Sequence, residues 1–340
     1  MKHIAKAAGV SLGTVSHVIN NNAPVRPEMR RRVLEAIRKL GYQPSLLARG
    51  LRSNRTSIIG MVIPDITNPF FPAVVRGVED VAFQNSFRLI LCNTDNDAAK
   101  EKAYLRELHS YRMAGLILIP SVNSPIAERP DLEMGDVPVI CLDRCPEDWN
   151  SDSVTVDNEQ GAFAATTHLI QLGHRALAMI AGSMQLTNSA ARVRGFKSAM
   201  RKAKLEIAPE YIQEGRFDRL SGYEKTRILL QHRPRPTAIV CANDLIALGV
   251  FSALREAKLR CPQDISVVGF DDIELSELTD PPLTTVFQPG YQMGARGATL
   301  LIKRIRGSHE EPQNVVLPTE LKVRQSVATP AGSSRADRKH

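Results

Sequence analysis

Residues with hydrogen-bonding or aromatic side chains follow several short apolar runs in the sequence beyond residue 57. Carboxylates, amides and guanidinium groups can form paired hydrogen bonds with vicinal hydroxyls, and phenyl rings can cover the apolar face of a sugar ring. A single such residue carries little weight, because Asn or Asp after a strand is more often a helix cap. As a set, they predict a binding site for a small polyol. The candidates are Asn68, Phe70, Phe71, Asp143, Arg144, Arg192, Phe217, Asn243, Asp271 and Gln288.

The apolar runs themselves predict how these residues come together. They lie at residues 58–63, 89–92, 116–119, 139–142, 177–180, 239–241 and 267–270. Amphipathic stretches fill the gaps, which is typical of parallel sheets with crossover helices. The pattern restarts after Asn158, so we expect two similar lobes. Ligands of open α/β sheets bind beyond the carboxyl ends of the strands, which is where the candidates stand.

The sequence contains none of the common catalytic patterns. It lacks H-E-x-x-H, G-x-S-x-G, the phosphate loop G-x-x-x-x-G-K-[ST] and any cysteine-histidine metal spacing. Gly290, Gly294 and Gly297 are spaced wrongly for a dinucleotide fingerprint. Asp271 and Asp272 could serve as paired carboxylates, but adjacent residues at a strand end point apart. We therefore expect a protein that is not an enzyme and has no cofactor or metal.

The cysteines and the apolar runs also bear on the cellular compartment. The five cysteines include no C-x-x-C pair and stand mostly in apolar runs, so we expect buried, reduced thiols. The apolar runs are far shorter than the roughly 20 residues that cross a bilayer, and the N-terminus has no signal-peptide pattern. These features predict a cytoplasmic protein without a membrane partner.

The positive charge of the chain is concentrated near its N-terminus. The 340 residues carry a net charge of +8, yet residues 1–57 alone carry +9, from eleven Lys and Arg and two Glu. The basic excess therefore belongs to one small module. Such a localised charge predicts a polyanionic partner such as nucleic acid.

This basic module has the pattern of three short helices. A first amphipathic stretch ends at Gly9, which permits a left-handed helix exit and a sharp turn. Ser11 can cap a second helix, and Pro27 stands where the first residue of a third helix is favoured. A helix, a tight turn and a second short helix form the arrangement that places the second helix in the major groove of DNA.

The second helix would carry most of the DNA contacts. We assign Leu12, Gly13 and His17 to the base edges, where Gly13 would allow close approach. Other residues would position the helix through phosphates, which supplies affinity without sequence information. These are Thr14, Ser16, Asn20, Arg26 and Arg30.

Residues 44–57 form a candidate hinge. Pro44 begins one or two helical turns that are too short to be stable alone, so the segment would fold only when docked. Ala48, Arg49 and Leu51 are its candidate DNA contacts, because a leucine flanked by arginines suits a wedge in the minor groove. On this segment alone, Leu51 fits a linker residue as well as a wedge.

Three segments share a longer and more specific pattern. They are the stretch 8–20, then Leu40-Gly41-Tyr42 with Pro44, and Ala48-Arg49-Gly50-Leu51-Arg52. Together they closely resemble the lac-repressor family of bacterial regulators. The resemblance implies a homodimer, or a weak tetramer, on double-stranded palindromic operator DNA, with Leu51 inserted into the minor groove. The chain departs from the family at its start, where a few more residues and a Ser or Thr cap usually precede the first helix.

The candidate binding residues resemble the sensor domain of the same family and periplasmic ribose-binding proteins. The similarity covers about residues 2–328. It implies that the ten candidates bind a small effector, with the three phenylalanines stacking on the ring and the others bonding hydroxyls. The pairs Asp143-Arg144 and Phe70-Phe71 favour an aldopentose or related monosaccharide. A purine or sugar-phosphate effector and a sugar-binding transport protein are the alternatives.

The expected fold is therefore a three-helix helix-turn-helix headpiece with a hinge helix, followed by a two-lobed, periplasmic-binding-protein-like α/β domain with parallel sheets. The expected bounds are 1–43 for the headpiece, 44–57 for the hinge, 58–329 for the two-lobed domain and 330–340 for a tail whose composition predicts disorder. The first lobe should comprise 58–157 and 289–311, and the second 158–288 and 312–329.

Overall fold

The computed structural model separates the chain into two units, Met1–Thr56 and Ser57–His340. It describes residues 1–20, 23–41, 56–124 and 135–331. The predictions for Ala48, Arg49 and Leu51 lie outside these ranges, and so does the predicted tail from residue 332 onward.

Three helices form the described part of the first unit: α1 Lys2–Ala8, α2 Leu12–Asn20 and α3 Pro27–Lys39. The turn after α1 depends on Gly9, whose φ of 61° is left-handed and whose N–H donates to the carbonyl of Ala5. The Oγ of Ser11 then accepts the N–H of Thr14 at 3.1 Å and caps α2. The buried core consists of Ile4, Ala8, Val15, Val18, Val33 and Ala36.

The second unit alternates strands with helices. Its strands are β1 Ile58–Ile63, β2 Arg88–Asn93, β3 Gly115–Leu118, β4 Val139–Leu142, β5 Ser153–Val156, β6 Leu177–Ala181, β7 Ile212–Glu214, β8 Ala238–Cys241, β9 Ser266–Asp271, β10 Thr284–Phe287, β11 Asn314–Leu317 and β12 Glu320–Lys322. Its helices are α4 Phe70–Gln84, α5 Ala98–Ser110, α6 Asn158–Gln171, α7 Thr187–Lys202, α8 Arg219–Leu229, α9 Asp244–Glu256, α10 Leu275–Leu278 and α11 Gly290–Ile305. Within the described ranges, no helix is long and apolar enough to cross a membrane.

The strands form two sheets of the same design, as the apolar runs predict. The first has the order β11-β5-β4-β3-β1-β2, and all of its pairs are parallel. The second has the order β12-β10-β9-β8-β6-β7 and is parallel except for β12 at its edge. The central strands β3, β4, β8 and β9 are buried along their whole length. Parallel strands have this character because crossover helices cover both faces of their sheet.

One predicted lobe boundary is wrong. Residues 312–317 were expected in the second lobe, but β11 pairs with β5 of the first sheet, with Val315 opposite Val154. Pairing with β11 satisfies backbone groups that β5 would otherwise leave at a sheet edge. The chain therefore crosses to the second lobe only at Pro318 and Thr319, immediately before β12.

The helices α4 and α11 pack closely on the first sheet because each has a glycine where the backbone of the other approaches. A Cβ at Gly77 would collide with the carbonyl of Tyr291, and one at Gly294 would collide with the carbonyl of Val74. The glycines allow the two helix backbones to touch. This contact ties α11, which follows the second lobe in the chain, to the start of the first lobe.

An ion pair between the buried Asp152 and the half-buried Arg304 joins parts of the first lobe that are distant in sequence. Arg304 near the end of α11 donates from Nε and Nη2 to the two carboxylate oxygens of Asp152, at 2.6 and 3.0 Å. The N–H of Gln313, just before β11, donates to the same carboxylate at 2.8 Å. Burial alone would raise the pKa of Asp152, but the hydrogen bonds from Arg304 and Gln313 outweigh it and lower this pKa.

Asp152→Asn should lower the free energy of unfolding by about 2–3 kcal/mol at pH 7, because it leaves the Arg304 guanidinium without its anion. A carboxyl pKa that is lower in the folded state than in the unfolded state stabilises the fold. This contribution to the free energy of unfolding is fully present above the unfolded-state pKa of about 3.9 and is lost as the pH falls through the folded-state pKa. Urea unfolding of both proteins between pH 3 and pH 7 tests this, and the difference should shrink below about pH 4.

Glu159→Gln is the matched control, because it removes the exposed pair with Arg194. This variant should lose no more than about 0.5 kcal/mol of its free energy of unfolding. Equal losses for the two variants would contradict a special role for the Asp152 pair.

Candidate functional site

A cavity of about 760 Å³ lies between the two lobes of the second unit, beyond the carboxyl ends of both sheets. Its volume is in the range of small-molecule sites. All ten candidates predicted from the sequence line it: Asn68, Phe70, Phe71, Asp143, Arg144, Arg192, Phe217, Asn243, Asp271 and Gln288. We refer to this cavity as the cleft.

The first lobe contributes a charged turn that follows β4. Asp143 has a left-handed φ of 65°, and its N–H donates to the carbonyl of Val154 at 3.0 Å. Its Oδ2 accepts from Nδ2 of Asn188 at 3.2 Å, whereas its buried Oδ1 has no hydrogen-bond partner in the protein. Arg144 donates from Nη2 to Asn96 at 2.6 Å, and its buried Nε has no partner either. An acceptor and a donor on adjacent residues are thus available to a ligand.

Arg192 is the central cation of the second lobe. Its Nε donates to Asn158 at 2.8 Å and its Nη1 to the carbonyl of Ala242. Nη1 also lies 3.8 Å from Oδ1 of Asp271, and the guanidinium carbon lies 3.8 Å from the centre of the Phe270 ring. These contacts fix the plane of a side chain that is only 2% exposed.

Asp271 ends β9 in a sparsely populated backbone conformation, with φ of 118°. Such a conformation persists only where the surroundings hold it. Nε2 of Gln288 donates to Oδ1 of Asp271 at 2.6 Å, and the next residue, Asp272, accepts from Arg324 at 2.7 Å. The buried Oε1 of Gln288 has no partner in the protein, so it is a second acceptor available in the cleft.

Asp244, at the start of α9, stabilises this strained turn through hydrogen bonds. Its carboxylate accepts from the N–H of Ile273 at 2.9 Å and from the hydroxyls of Ser276 and Thr285 at 2.7 and 2.6 Å. Burial raises the pKa of Asp244 to about 6, and these three hydrogen bonds oppose the rise. Asp244 does not line the cleft, but its hydrogen bonds connect α9 to the turn after β9, to α10 and to β10.

Burial also shifts the charged groups that face the cleft. It raises the pKa of Asp143 and of Asp271, and the nearby Arg192 opposes both shifts. Burial lowers the pKa of Arg144 to about 10 and also lowers that of Arg192, while the neighbouring carboxylates oppose these changes. The carboxylates and guanidinium groups of the cleft therefore offset part of the cost of burying one another's charges.

Phenyl rings form the apolar part of the cleft. Phe70 and Phe71 open α4 and meet edge to face, with ring centres 5.4 Å apart and an interplanar angle of 69°. Phe217 lies on the opposite lobe between β7 and α8, where a Cβ on Gly182 would collide with its ring. The absence of a side chain at Gly182 thus leaves room for this third ring.

Two of the predicted residues have local partners. Asn68 Oδ1 accepts the N–H of Phe70 at 3.1 Å at the start of α4, and Asn243 Oδ1 caps α9 through the N–H of Ile246 at 2.9 Å. Asn243 Nδ2 also donates to the carbonyl of Phe217. Asn243 is therefore a helix cap, the alternative for an Asn after a strand, whereas Asn68 precedes the N-cap residue Pro69 of α4. Both side chains also line the cleft.

Sequence reasoning missed Asn188 and Asn96, which contact Asp143 and Arg144 directly. Asn188 stands four residues before Arg192 on α7, so a helical spacing rule applied to Arg192 could have found it. Asn96 lies in the loop before α5, where no such pattern exists. In the parts of the chain that the structure describes, no cluster of His, Cys, Asp and Glu could hold a metal ion.

The prediction of reduced thiols is wrong for two of the five cysteines. Cys141 in β4 and Cys145 just after the charged turn form a disulfide, with Cα atoms 5.7 Å apart. The left-handed conformation of Asp143 reverses the chain and brings the two residues together. Cys92, Cys241 and Cys261 are free thiols.

The predicted DNA contacts of α2 lie on a solvent-facing side of the headpiece. Leu12, Gly13 and His17 are exposed, and Leu12 shows 44% of its surface to solvent. Thr14 and Ser16 are half-buried. An exposed leucine at the start of a helix is available for an apolar contact with a partner.

The predicted phosphate contacts outside α2 are exposed as well. Arg26 precedes α3 and Arg30 lies in its first turn. Arg32, on the same helix, donates to the carbonyl of Gly9 at 3.3 Å and so braces the turn before α2. The side chain of Asn20 lies outside the described atoms.

Two family descriptions match the two units. Residues 1–45 match the bacterial regulatory proteins of the lacI family, and residues 166–327 match a periplasmic binding protein-like domain. A curated relative, the HTH-type transcriptional repressor PurR of Histophilus somni, is 38% identical over 329 residues, which are 97% of this chain and 99% of the relative.

Two solved structures of regulators share the fold. The lac repressor dimer bound to operator and the anti-inducer ONPF has a TM-score of 0.84 and 28% identity, covering 96% of this chain and 98% of that one. A LacI family transcriptional regulator of Enterococcus faecium with bound ribose has a TM-score of 0.72 and 34% identity, covering 80% and 99%. With its headpiece, its two-lobed domain and near full-length relatives that are repressors, this chain belongs to the lacI family of bacterial DNA-binding repressors.

Proposed function

We propose that the chain binds a palindromic operator as a homodimer and that a monosaccharide, such as an aldopentose, is the effector that controls this binding. The observation that carries the effector class is the set of unpartnered polar atoms in the cleft. Asp143 Oδ1, Arg144 Nε and Gln288 Oε1 are buried and have no hydrogen-bond partner in the protein. Leaving such groups unsatisfied costs about 1–3 kcal/mol each, so a ligand that pairs them gains affinity.

A hydroxyl group suits these atoms because it both donates and accepts. Asp143 Oδ1 offers an acceptor and Arg144 Nε offers a donor on adjacent residues, which fits two neighbouring hydroxyls of a sugar. Gln288 Oε1 and the Asp271 carboxylate offer further acceptors on the other lobe. A monosaccharide carries hydroxyls around its whole rim and can therefore bond both lobes at once.

The aromatic residues support the same choice. A purine is flat and is best held between parallel faces, whereas Phe70 and Phe71 meet at 69°. Two lining rings that meet edge to face do not form a slot for a flat base, and such an arrangement suits the thicker, partly apolar face of a sugar ring better.

A purine is the second candidate, and one observation favours it. The PurR repressor of Histophilus somni is 38% identical to this chain over nearly its full length. The regulator of Enterococcus faecium that was solved with ribose is 34% identical over 80% of this chain. Overall identity does not separate the two classes, so the choice depends on the chemistry of the cleft.

Effector control requires that the ligand bind two conformations of the repressor with different affinities. The ligand would bridge residues of both lobes, and three chain segments join those lobes in the described structure, after β5, β10 and β11. Closure around the ligand would change the angle between the lobes and with it the spacing of the two hinges in a dimer. We propose induction as the sign of the response, so that the bound sugar lowers operator affinity.

A thermal-shift screen with pentoses, hexoses, their phosphates and purine bases tests the effector class. We expect a pentose such as D-ribose to raise the melting temperature, because a ligand that binds only the folded state stabilises it. Asp271→Asn should weaken that ligand about 10- to 100-fold, since it removes a charged acceptor and retains its shape.

Asp148→Asn, the same change at an exposed position of the first lobe, should leave the shift intact. A response to purine bases with none to any sugar would establish the second candidate instead. Normal effector binding by Asp271→Asn would show that the effector does not bind at Asp271.

Leu51→Ala should weaken operator binding about 10- to 100-fold while non-specific DNA binding and its salt dependence stay unchanged. The reason is that a minor-groove wedge acts only where the hinge is folded against a deformable base step, whereas non-specific affinity comes from phosphate contacts. Titrations of operator and random DNA at several salt concentrations measure both. An equal loss on the two DNAs would mean that Leu51 is a linker residue.

A further inference from the structure

The disulfide between Cys141 and Cys145 encloses the charged turn of the cleft. Asp143 and Arg144 lie between the two cysteines in sequence, and both line the cleft. The Cα atoms of the two cysteines lie 5.7 Å apart, a separation that a disulfide can span. The backbone that aims these two side chains at a ligand is therefore part of the ring that the disulfide closes.

The two cysteines differ in their exposure to solvent. Cys141 is completely buried in the core beside β3, whereas Cys145 is half-buried at the end of the turn. A reagent in solution can therefore react first with Cys145, and the buried Cys141 thiol can then displace the reagent to form the disulfide. Burial raises the pKa of the free thiols Cys241 and Cys261, which disfavours their reactive thiolate forms.

A DNA-binding repressor works beside the chromosome, in a compartment that keeps most thiols reduced. Disulfides in such compartments are usually transient and serve catalysis or redox sensing. A disulfide between two residues four positions apart closes a small ring, so it adds little to global stability. Its position around the ligand turn points to a local effect on the cleft.

We propose that Cys141 and Cys145 form a reversible thiol–disulfide site that sets the effector affinity of the cleft. In the oxidised form, the closed ring holds Asp143 in its left-handed conformation and keeps Arg144 beside it. In the reduced form, the turn gains alternative conformations, and ligand binding must first order it. The oxidised repressor therefore binds its effector more tightly, because preorganisation lowers the entropic cost of binding. The existence and the class of this effector rest on the function proposed above.

The oxidant required is a low-molecular-weight disulfide. The Cys145 thiolate attacks one sulfur of that molecule, forms a mixed disulfide and expels one thiolate. The Cys141 sulfur then attacks Cys145 and expels the second thiolate, and the two protons lost by the cysteines neutralise the two leaving thiolates. The protein loses two electrons and two protons, and the small disulfide is reduced to two thiols.

The test compares the full chain after treatment with dithiothreitol and with oxidised glutathione. Intact mass and titration of free thiols report the bond independently of any ligand, and the thiol count should fall from five to three. Calorimetry with D-ribose, and in parallel with hypoxanthine, should show an affinity about three- to tenfold higher in the oxidised form.

Two variants make the test specific. Cys145→Ser should abolish the difference between the two treatments, because Cys141 then has no partner. Cys261→Ser changes a free, half-buried thiol of the other lobe and should preserve the difference. Five titratable thiols after oxidation would overturn the proposal, and so would a Cys141–Cys145 bond that leaves the affinity unchanged or lowers it. If neither probe binds in either form, the proposed effector classes fail, while the thiol count still decides whether the pair oxidises.

Discussion

The cleft depends on burying opposite charges against each other. Arg192 is almost fully inaccessible, and burial lowers its pKa, while the charges of Asp271, Asp143 and Asp244 oppose this shift. Phe270 covers one face of its guanidinium group. Isolated buried charges would cost many kcal/mol, so the carboxylates of both lobes and this arginine stabilise one another. This constraint accounts for the closeness of the two lobes at the cleft. It also explains why a polar ligand suits the site.

An acidic residue stands at the end of a central strand in each lobe. Asp143 follows a central strand of the first sheet and Asp271 ends a central strand of the second, and both have positive φ values. Each carboxylate accepts a hydrogen bond from a side-chain amide, Asp143 from Asn188 of the second lobe and Asp271 from Gln288 after β10. Two sheets of one design thus present two similar acid groups to the same space, as the restart of the sequence pattern after Asn158 predicts.

Sequence rules found the fold and ten of the residues that line the cleft because both follow from strand periodicity and from the position of ligands at strand ends. What they missed depends on contacts between residues far apart in the chain. Asn96 reaches Arg144 from a loop 48 residues earlier, and β11 pairs with a strand about 160 residues before it. The disulfide was missed because a spacing of four residues does not join cysteines in a regular strand, and only the left-handed turn at Asp143 permits it.

The late pairing of β11 with β5 has a consequence for how the protein is made. A ribosome delivers the headpiece helices first, and the strands β1 to β5 long before β11 at residues 314–317. The first sheet therefore keeps an open edge until β11 has been synthesised, and β12 completes the second sheet only a few residues later. Domains usually fold one after another as they leave the ribosome. Here neither lobe can be finished before the other, so the cleft between them is completed only when the last strands of both sheets arrive together.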